Sequence, residues 1–410
     1  MEQFDVVIIG GGVCGLSASI EAKRQGKSVL IIEKNKYVGG IVNQCIHEGF
    51  GLIKFRENLT GPEYIEKLMQ TAERLSVEIQ TEAFVLSIEK TSQFIVKYVS
   101  ANGVIGIKAN AVILSTGAKE RTAKQVFLQG TRPSGVFTAG EIQYYLNVLG
   151  KMPTKKCVIL GSGDIGLIMA RRLKIEGAEV EGVYEIKSSP SGLMRNVSKC
   201  LDDFDIPLYL ESTVTKIMGT GRLEGVEIAN VKNGEIVLDS VRRIDCDALV
   251  LSVGLIPDIG LLEGFDVKRD DHTMSVTVDQ TMMTNVEGLF VCGNALHNND
   301  FADYVSETGE IAGKSAGEYV YRHRNIVKNV AGQNVSYVIP QVIDLTKPHD
   351  RVICYFKTSK RQNNITLNVR NNGKLIARKT YAEVPSSGLL RVMVDFATVD
   401  DKYVVFEIGD

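Results

Sequence analysis

The sequence predicts an α/β chain of two Rossmann-like three-layer units followed by a small all-β domain. Three observations carry this reading. An apolar strand near the N-terminus runs through a glycine-rich turn into a helix, the same pattern recurs 151 positions later, and the last seventy or so residues change to alternating strand patterns. At 410 residues the chain is too long for one ordinary core, so two or three domains are expected.

In the first unit, residues 5–9 read Asp-Val-Val-Ile-Ile and lead straight into Gly10-Gly-Gly12-Val-Cys-Gly15. A helix-period stretch follows from Leu16 to Gln25. Gly26 stops it, and Ser28 to Ile32 form a second buried strand with Glu33 at its end. In such a βαβ unit Gly10 permits the tight turn, Gly12 lets the backbone approach a pyrophosphate, and Gly15 lets helix and strand pack closely. The helix N-terminus suits a dianion, and the Glu33 carboxylate suits ribose hydroxyls. The second copy opens with Cys157-Val-Ile-Leu-Gly161-Ser-Gly163-Asp164-Ile165-Gly166. Gly177 matches Gly26, and the strand after it ends in Val183-Tyr184-Glu185, with the acid one residue later than in the first copy. Two such units imply two dinucleotides, which in redox chemistry pairs a flavin with a nicotinamide.

The bulk composition narrows the remaining classes. Apolar residues at 44% and charged residues at 23% describe a folded soluble protein, and a net charge of -2 without a lysine-arginine cluster argues against nucleic acid as a partner. No apolar run approaches the ~18 residues of a membrane span. The first strand begins almost directly after Met1, which leaves no room for a signal peptide, so the cytoplasm is the expected location. Seven cysteines (14, 45, 157, 200, 246, 292 and 354) form no C-x-x-C pair, so reduced thiols and no metal centre are expected.

Over residues 1 to about 325 the sequence resembles the two-dinucleotide-binding-domain flavoproteins, the family of the pyridine nucleotide-disulfide oxidoreductases and thioredoxin reductases. Ala111-Val-Ile-Leu-Ser-Thr116-Gly117 is similar to the family's A-T-G strand-turn. Thr284-Asn-Val-Glu-Gly288-Leu-Phe-Val-Cys-Gly293-Asn294 is similar to its late flavin motif, and Leu251-Ser-Val-Gly254-Leu-Ile-Pro257 to its V-G-x-x-P turn. The resemblance implies that the second unit is inserted in the first. An FAD-binding domain would then span 1–121 and 258–328, an NAD(P)-binding domain 122–257 with a linker at 122–155, and a β domain 335–410. FAD would lie on Gly10, Gly12, Gly15, Glu33, Lys34, Gly40, Asn43, Thr116, Gly117, Gly293 and Asn294. The nicotinamide dinucleotide would lie on Gly161, Gly163, Asp164, Ile165, Gly166, Glu185 and Gly254. The flavin motif ordinarily ends Gly-Asp. Asn294 replaces that acid with an amide that still offers an acceptor and adds a donor. The Glu185 carboxylate pairs with a ribose 2′-hydroxyl and repels a 2′-phosphate, and no arginine follows within nine residues, which favours NAD(H) over NADP(H) although Lys187 is a possible phosphate partner.

In the disulfide-reductase branch the loop after the first acid carries a C-x4-C pair. Here it reads Gly39-Gly40-Ile-Val-Asn43-Gln44-Cys45-Ile-His47-Glu48-Gly49-Phe50-Gly51, with one cysteine that matches neither place of the pair, so no dithiol shuttle is expected. Together with Gly130-Thr-Arg132-Pro133-Ser-Gly135, this loop resembles flavoprotein subunits encoded with anaerobic-type glycerol-3-phosphate dehydrogenases, and more broadly those of opine and cyanide-forming amino-acid dehydrogenases. The resemblance implies electron transfer through FAD between NAD(H) and a partner dehydrogenase subunit or another acceptor, with a homodimer as the other assembly. A stand-alone flavin or disulfide reductase and a non-catalytic flavin-binding partner are the competing readings. Cys45 and His47 are the catalytic candidates, facing the isoalloxazine as a polarizable contact and a proton donor or base. The alternative is that the loop wraps FAD with backbone hydrogen bonds only, since hydride transfer to a flavin requires no acid-base side chain. Glu307 to Glu310 are expected to open a late helix from Ile311 to Tyr321. The tail alternates as strands, with Asn371-Asn372-Gly373 as a hairpin turn; it reads either as an interface module that docks a partner chain or a second copy, whose removal would spare flavin binding, or as a simple covering domain.

Overall fold

The computed structural model describes residues 1–320, 323–359, 362–384 and 388–409. The chain forms two compact units, Met1–Ala118 with Pro257–Asp410, and Lys119–Ile256.

In the first unit, strand Gln3–Ile9 lies at the centre of a parallel sheet between Val29–Ile32 and the far half of Gly103–Leu114. Glu78–Gln80 extends the sheet on one side and Leu289–Val291 on the other. Residues 6–9 and 29–32 are buried throughout, as the continuous apolar runs require of strands covered on both faces. The antiparallel strands Phe84–Lys90, Phe94–Ser100 and Gly103–Leu114 add a meander to the same sheet. The first helix is Val13–Arg24, three residues longer at its start than the periodicity indicates, because Gly12 itself is the N-cap.

The late helix differs more. It runs Ala302–Gly317, so Glu307 to Glu310 lie within it rather than at its start, and Tyr321 falls outside the described residues. Gly309, expected just ahead of the helix that was to begin at Ile311, lies inside it, because both it and Gly313 are packing positions against helix Val13–Arg24. A Cβ on Gly313 would stand 2.7 Å from the Ala18 carbonyl carbon, and one on Gly309 3.1 Å from the Cys14 carbonyl carbon.

The second unit holds a five-stranded parallel sheet in the order Val136–Thr138, Ala248–Leu251, Lys156–Leu160, Glu179–Tyr184, Leu208–Tyr209. The expected linker at 122–155 thus contains a sheet strand, followed by helix Ala139–Asn147, which opens on a Thr138–Glu141 capping box. A register shift between Cys157 and Val158 explains the late acid. Cys157 faces Val180 but Val158 faces Gly182, so Glu181 bulges out of the ladder, and beyond it Leu160 pairs with Tyr184.

The C-terminal module is a sandwich of a five-stranded and a three-stranded sheet. It begins earlier than residue 335, because strand Ile326–Ala331 pairs in parallel with Tyr403–Gly409. Asn371 faces Lys374 across a two-residue turn in which Asn372 and Gly373 both have positive φ, the geometry that the Asn-Gly signal anticipates. Phe356, Phe396 and Phe406 fill its core.

Candidate functional site: two glycine turns and the loops around them

Gly10 has φ 104°, and a Cβ there would stand 3.0 Å from the Ser115 carbonyl carbon. The Ser115 hydroxyl closes the turn by donating to the Gly10 carbonyl at 2.9 Å, and it stands 2.9 Å from where a Cβ on Gly15 would lie. No atom lies within 4 Å of the Cβ position of Gly12. Helix Val13–Arg24 has no side-chain cap and no acid in its first turn. Its first N–H groups are thus left without a side-chain acceptor from a cap, beside the open space at Gly12, a setting that suits a pyrophosphate.

Glu33 is 4% exposed. Its carboxylate accepts from the Gly11 N–H at 2.7 Å and the Asn35 N–H at 2.8 Å, so it braces the turn. Gly11 is glycine for that reason, since a Cβ would meet Val38 Cγ1 at 2.7 Å and the Glu33 carboxylate at 3.3 Å. Gly39 donates to the Gly11 carbonyl at 2.8 Å, which brings Gly40 and Asn43 to the same place. Asn43 folds the loop by donating to the Val38 carbonyl at 2.6 Å, and Lys34 stands exposed beyond it. Thr116 Oγ1 donates to the Asp258 carbonyl at 2.5 Å, while the Asp258 N–H donates to the Gly117 carbonyl at 2.9 Å.

Gly293, at φ 63°, packs on Cys14, and its N–H donates to Thr308 Oγ1 at 3.1 Å. Asn294 corrects the sequence reading. Its Oδ1 accepts from the Asn299 N–H at 3.0 Å and Nδ2 at 3.2 Å, so the acceptor is taken and the Nδ2 donor is what remains for a ribityl hydroxyl.

The second turn repeats the first. Gly161 has φ 94°, and a Cβ there would meet the Ser252 carbonyl carbon at 2.8 Å. Ser252 Oγ also accepts from the Gly166 N–H at 3.2 Å and lies 3.1 Å from the Gly163 Cβ position. Ser115 and Ser252 are thus equivalent residues that motif reading passed over. The signal was present, as Leu114-Ser-Thr-Gly117 and Leu251-Ser-Val-Gly254. Glu185, 4% exposed, accepts from the Ser162 N–H at 3.0 Å and hydroxyl at 2.5 Å, from the Ser191 hydroxyl at 3.0 Å and from the Lys187 N–H at 3.2 Å. The bulge at Glu181 has returned it to the place Glu33 holds in the first turn. The Asp164 carboxylate turns away from the helix axis, accepting from Leu193 N–H and Asn196 Nδ2 at 2.9 and 2.7 Å, and Ile165 packs into the domain core. Gly254 accepts from the Arg121 N–H at 3.0 Å.

Cys45 ends a short helical turn, Gly40–Gln44, where its thiol donates to the Ile41 carbonyl at 3.6 Å and its carbonyl accepts from the Gly61 N–H at 2.8 Å. His47 stacks on Phe50 at 5.3 Å with Nδ1 3.2 Å from the Glu48 carbonyl oxygen. The other six cysteines are buried, and all seven are free thiols. Burial pushes the Cys157 and Cys246 thiols up to about 12, which removes them from nucleophilic chemistry.

Two glycine turns of this geometry, each closed by a serine and braced by a buried glutamate, define an enzyme of the FAD-dependent pyridine nucleotide oxidoreductase class. The chain belongs to the pyridine nucleotide-disulphide oxidoreductase family, whose model matches residues 4–330. A ferredoxin–NADP reductase of Leuconostoc citreum is 26% identical over 317 residues, covering 74% of this chain and 87% of that protein. An opine oxidase subunit from Rhizobium meliloti is 25% identical over 72% of this chain and 59% of its own length. The crystal structure of T. acidophilum thioredoxin reductase superposes with a TM-score of 0.63 at 25% identity, covering 78% of this chain and 99% of that one. Most of the C-terminal sandwich lies beyond the family match. No helix among the described residues is long and apolar enough to cross a membrane.

Proposed function

We propose that the protein takes hydride from NADH onto FAD held at the first turn and delivers the electrons to an acceptor other than a disulfide. The observation that carries this reading is the thiol inventory. One half-buried cysteine stands in the loop where disulfide reductases of the family place two, and the other six are buried. Bound FAD would supply the hydride-accepting centre. The chain's own residues do the positioning: the first backbone N–H groups of the helices after Gly12 and Gly163 hold phosphates, Glu33 and Glu185 hold riboses, and Asn294 Nδ2 orients the ribityl chain. The Glu185 carboxylate, held by two serines and two backbone N–H groups, supports NAD(H) over NADP(H), because a 2′-phosphate would meet its charge.

For the acceptor, the likeness to an opine oxidase component supports a partner dehydrogenase, whereas the ferredoxin–NADP reductase, matched over more of its length, supports a stand-alone reductase. The glycerol-3-phosphate link rests on the 39–51 loop and the segment from Gly130 to Gly135 alone. Anaerobic titration with NADH and NADPH in parallel, followed by flavin absorbance, tests the proposal. Stoichiometric bleaching by NADH ahead of NADPH is expected, and a protein that binds no FAD would end it. Retention of a companion dehydrogenase on the immobilised protein then separates the two acceptors. Cys45→Ala and His47→Ala test the catalytic role of the loop. A reoxidation rate lowered about tenfold or more supports it, and unchanged rates leave the loop as a wrapping for FAD.

A further inference from the structure

Arg391 stands in strand Leu389–Val394 of the three-stranded sheet of the sandwich, in the part of the chain beyond the family match. Its guanidinium forks onto Glu307 in helix Ala302–Gly317, with Nε 2.8 Å from Oε2 and Nη2 2.7 Å from Oε1. A fork of this kind fixes direction as well as distance, which a single ammonium contact does not. Tyr355, directly opposite Arg391 in the neighbouring strand, donates to the same carboxylate. Burial, and then the Glu307 charge, push the Tyr355 hydroxyl well above an ordinary 10, so the proton stays on the ring oxygen. The Arg391 backbone is anchored in turn, because the Tyr381 hydroxyl and Lys379 Nζ both donate to its carbonyl at 2.9 Å.

Glu307 is followed in the helix by the two residues that meet the flavin motif and the first glycine turn. Thr308 Oγ1 accepts from the Gly293 N–H at 3.1 Å, and Gly309 packs on the Cys14 backbone. Gly293 turns at φ 63° into Asn294, whose Nδ2 is the donor left for a ribityl hydroxyl. Neighbouring residues of an α-helix share one rotation and one rise. A fork that fixes Glu307 therefore fixes Thr308, and with it the turn at Gly293.

We propose that Arg391 is a positioning residue for the flavin, setting the Gly293 turn and the place of Asn294 through Glu307 and Thr308. This role rests on the FAD reading of the first turn.

FAD titrated into the flavin-free full-length protein, followed by quenching of flavin fluorescence and by the visible absorption band, tests this alongside thermal melts. Arg391→Met should weaken FAD binding about tenfold or more and shift the band. Arg391→Lys should restore only part of either, since an ammonium offers no fork. The double variant Arg391→Met, Glu307→Met separates position from stability. Apolar replacement of both partners of an ion pair is often neutral for stability, so Tm should recover while FAD binding stays weak. Arg370→Met breaks an ion pair with Glu407 inside the five-stranded sheet and should leave FAD binding unchanged. Should Arg391→Met fail to fold, Arg391→Lys and the double variant carry the comparison. A double variant that recovers FAD binding together with Tm, or an Arg370→Met protein that loses FAD equally, overturns the positioning role and leaves the FAD reading standing. A wild-type protein that binds no FAD ends both.

Discussion

Glu185 and His297 show how burial gives single side chains their roles. Glu185 is out of water and surrounded by donors, so its charge is fixed in place and unscreened. Charge-assisted hydrogen bonds are roughly twice as strong as neutral ones. Glu185→Gln keeps an acceptor for Ser162 but removes the charge. The ratio of kcat/KM for NADH over NADPH should therefore fall by about tenfold, or about 1.4 kcal/mol, and an unchanged ratio would show that Glu185 only braces its turn. His297 faces the opposite situation, because burial and then the Lys357 charge push its imidazolium down to about 3 from an ordinary 6.5. Below pH 6.5 the unfolded chain takes up a proton that the folded chain refuses, so stability is full above that value and falls as pH drops toward 3. Between about pH 7.5 and about pH 5 this one group should cost about 2 kcal/mol in denaturant melts. His297→Phe should lose that slope, and a variant with the wild-type pH dependence would place the titration elsewhere.

At the scale of elements, the decisive contact is the one between helices Val13–Arg24 and Ala302–Gly317. Gly309 and Gly313 let their backbones touch, which seats Gly293 and Thr308 against Cys14 beside the first turn. A methyl at 313 must push the helices apart. Gly313→Ala should cost about 1–3 kcal/mol and lower FAD retention together with Tm, read by thermal melts and flavin absorbance after gel filtration. Retained stability would mean that the helices slide freely. Of the two, Gly309 marks where the sequence was hard to read, since the helix was expected to begin only after it. A glycine that breaks a helix and one that lets a helix approach its neighbour are identical on the page, and only the contact distinguishes them. The strand-turn-helix units were legible because apolar period, turn chemistry and terminal acid all agree there. The bulge at Glu181 was not, since an unpaired residue in a ladder leaves no compositional trace. Strands Ile326–Ala331 and Val342–Asp344 were hidden by their shortness and by the polar residues among them.

Across the whole molecule, the sandwich is joined to the rest of the first unit by more than a chain connection, which changes the expectation that its removal would spare flavin binding. Ile339 belongs to the core of that unit. Gln280 and Asp344 exchange hydrogen bonds at 2.8 and 2.9 Å, and Arg391 forks onto Glu307 at 2.8 and 2.7 Å beside the Tyr355 hydroxyl, which donates to the same carboxylate. Lys347 Nζ lies 2.6 Å from Asp279 Oδ2 with the carboxylate wholly buried. Breaking a buried ion pair by removing one partner costs about 3–5 kcal/mol, because the other charge stays behind without compensation. A chain ending after Asn325 would strand Asp279, and Lys347→Met does so with the sandwich intact. Both should lower Tm by about 10 °C, and the truncated chain should lose most of its flavin on gel filtration, since Glu307 and the His297 loop would face water. A truncated protein that keeps its Tm and its colour would make the sandwich a detachable docking module.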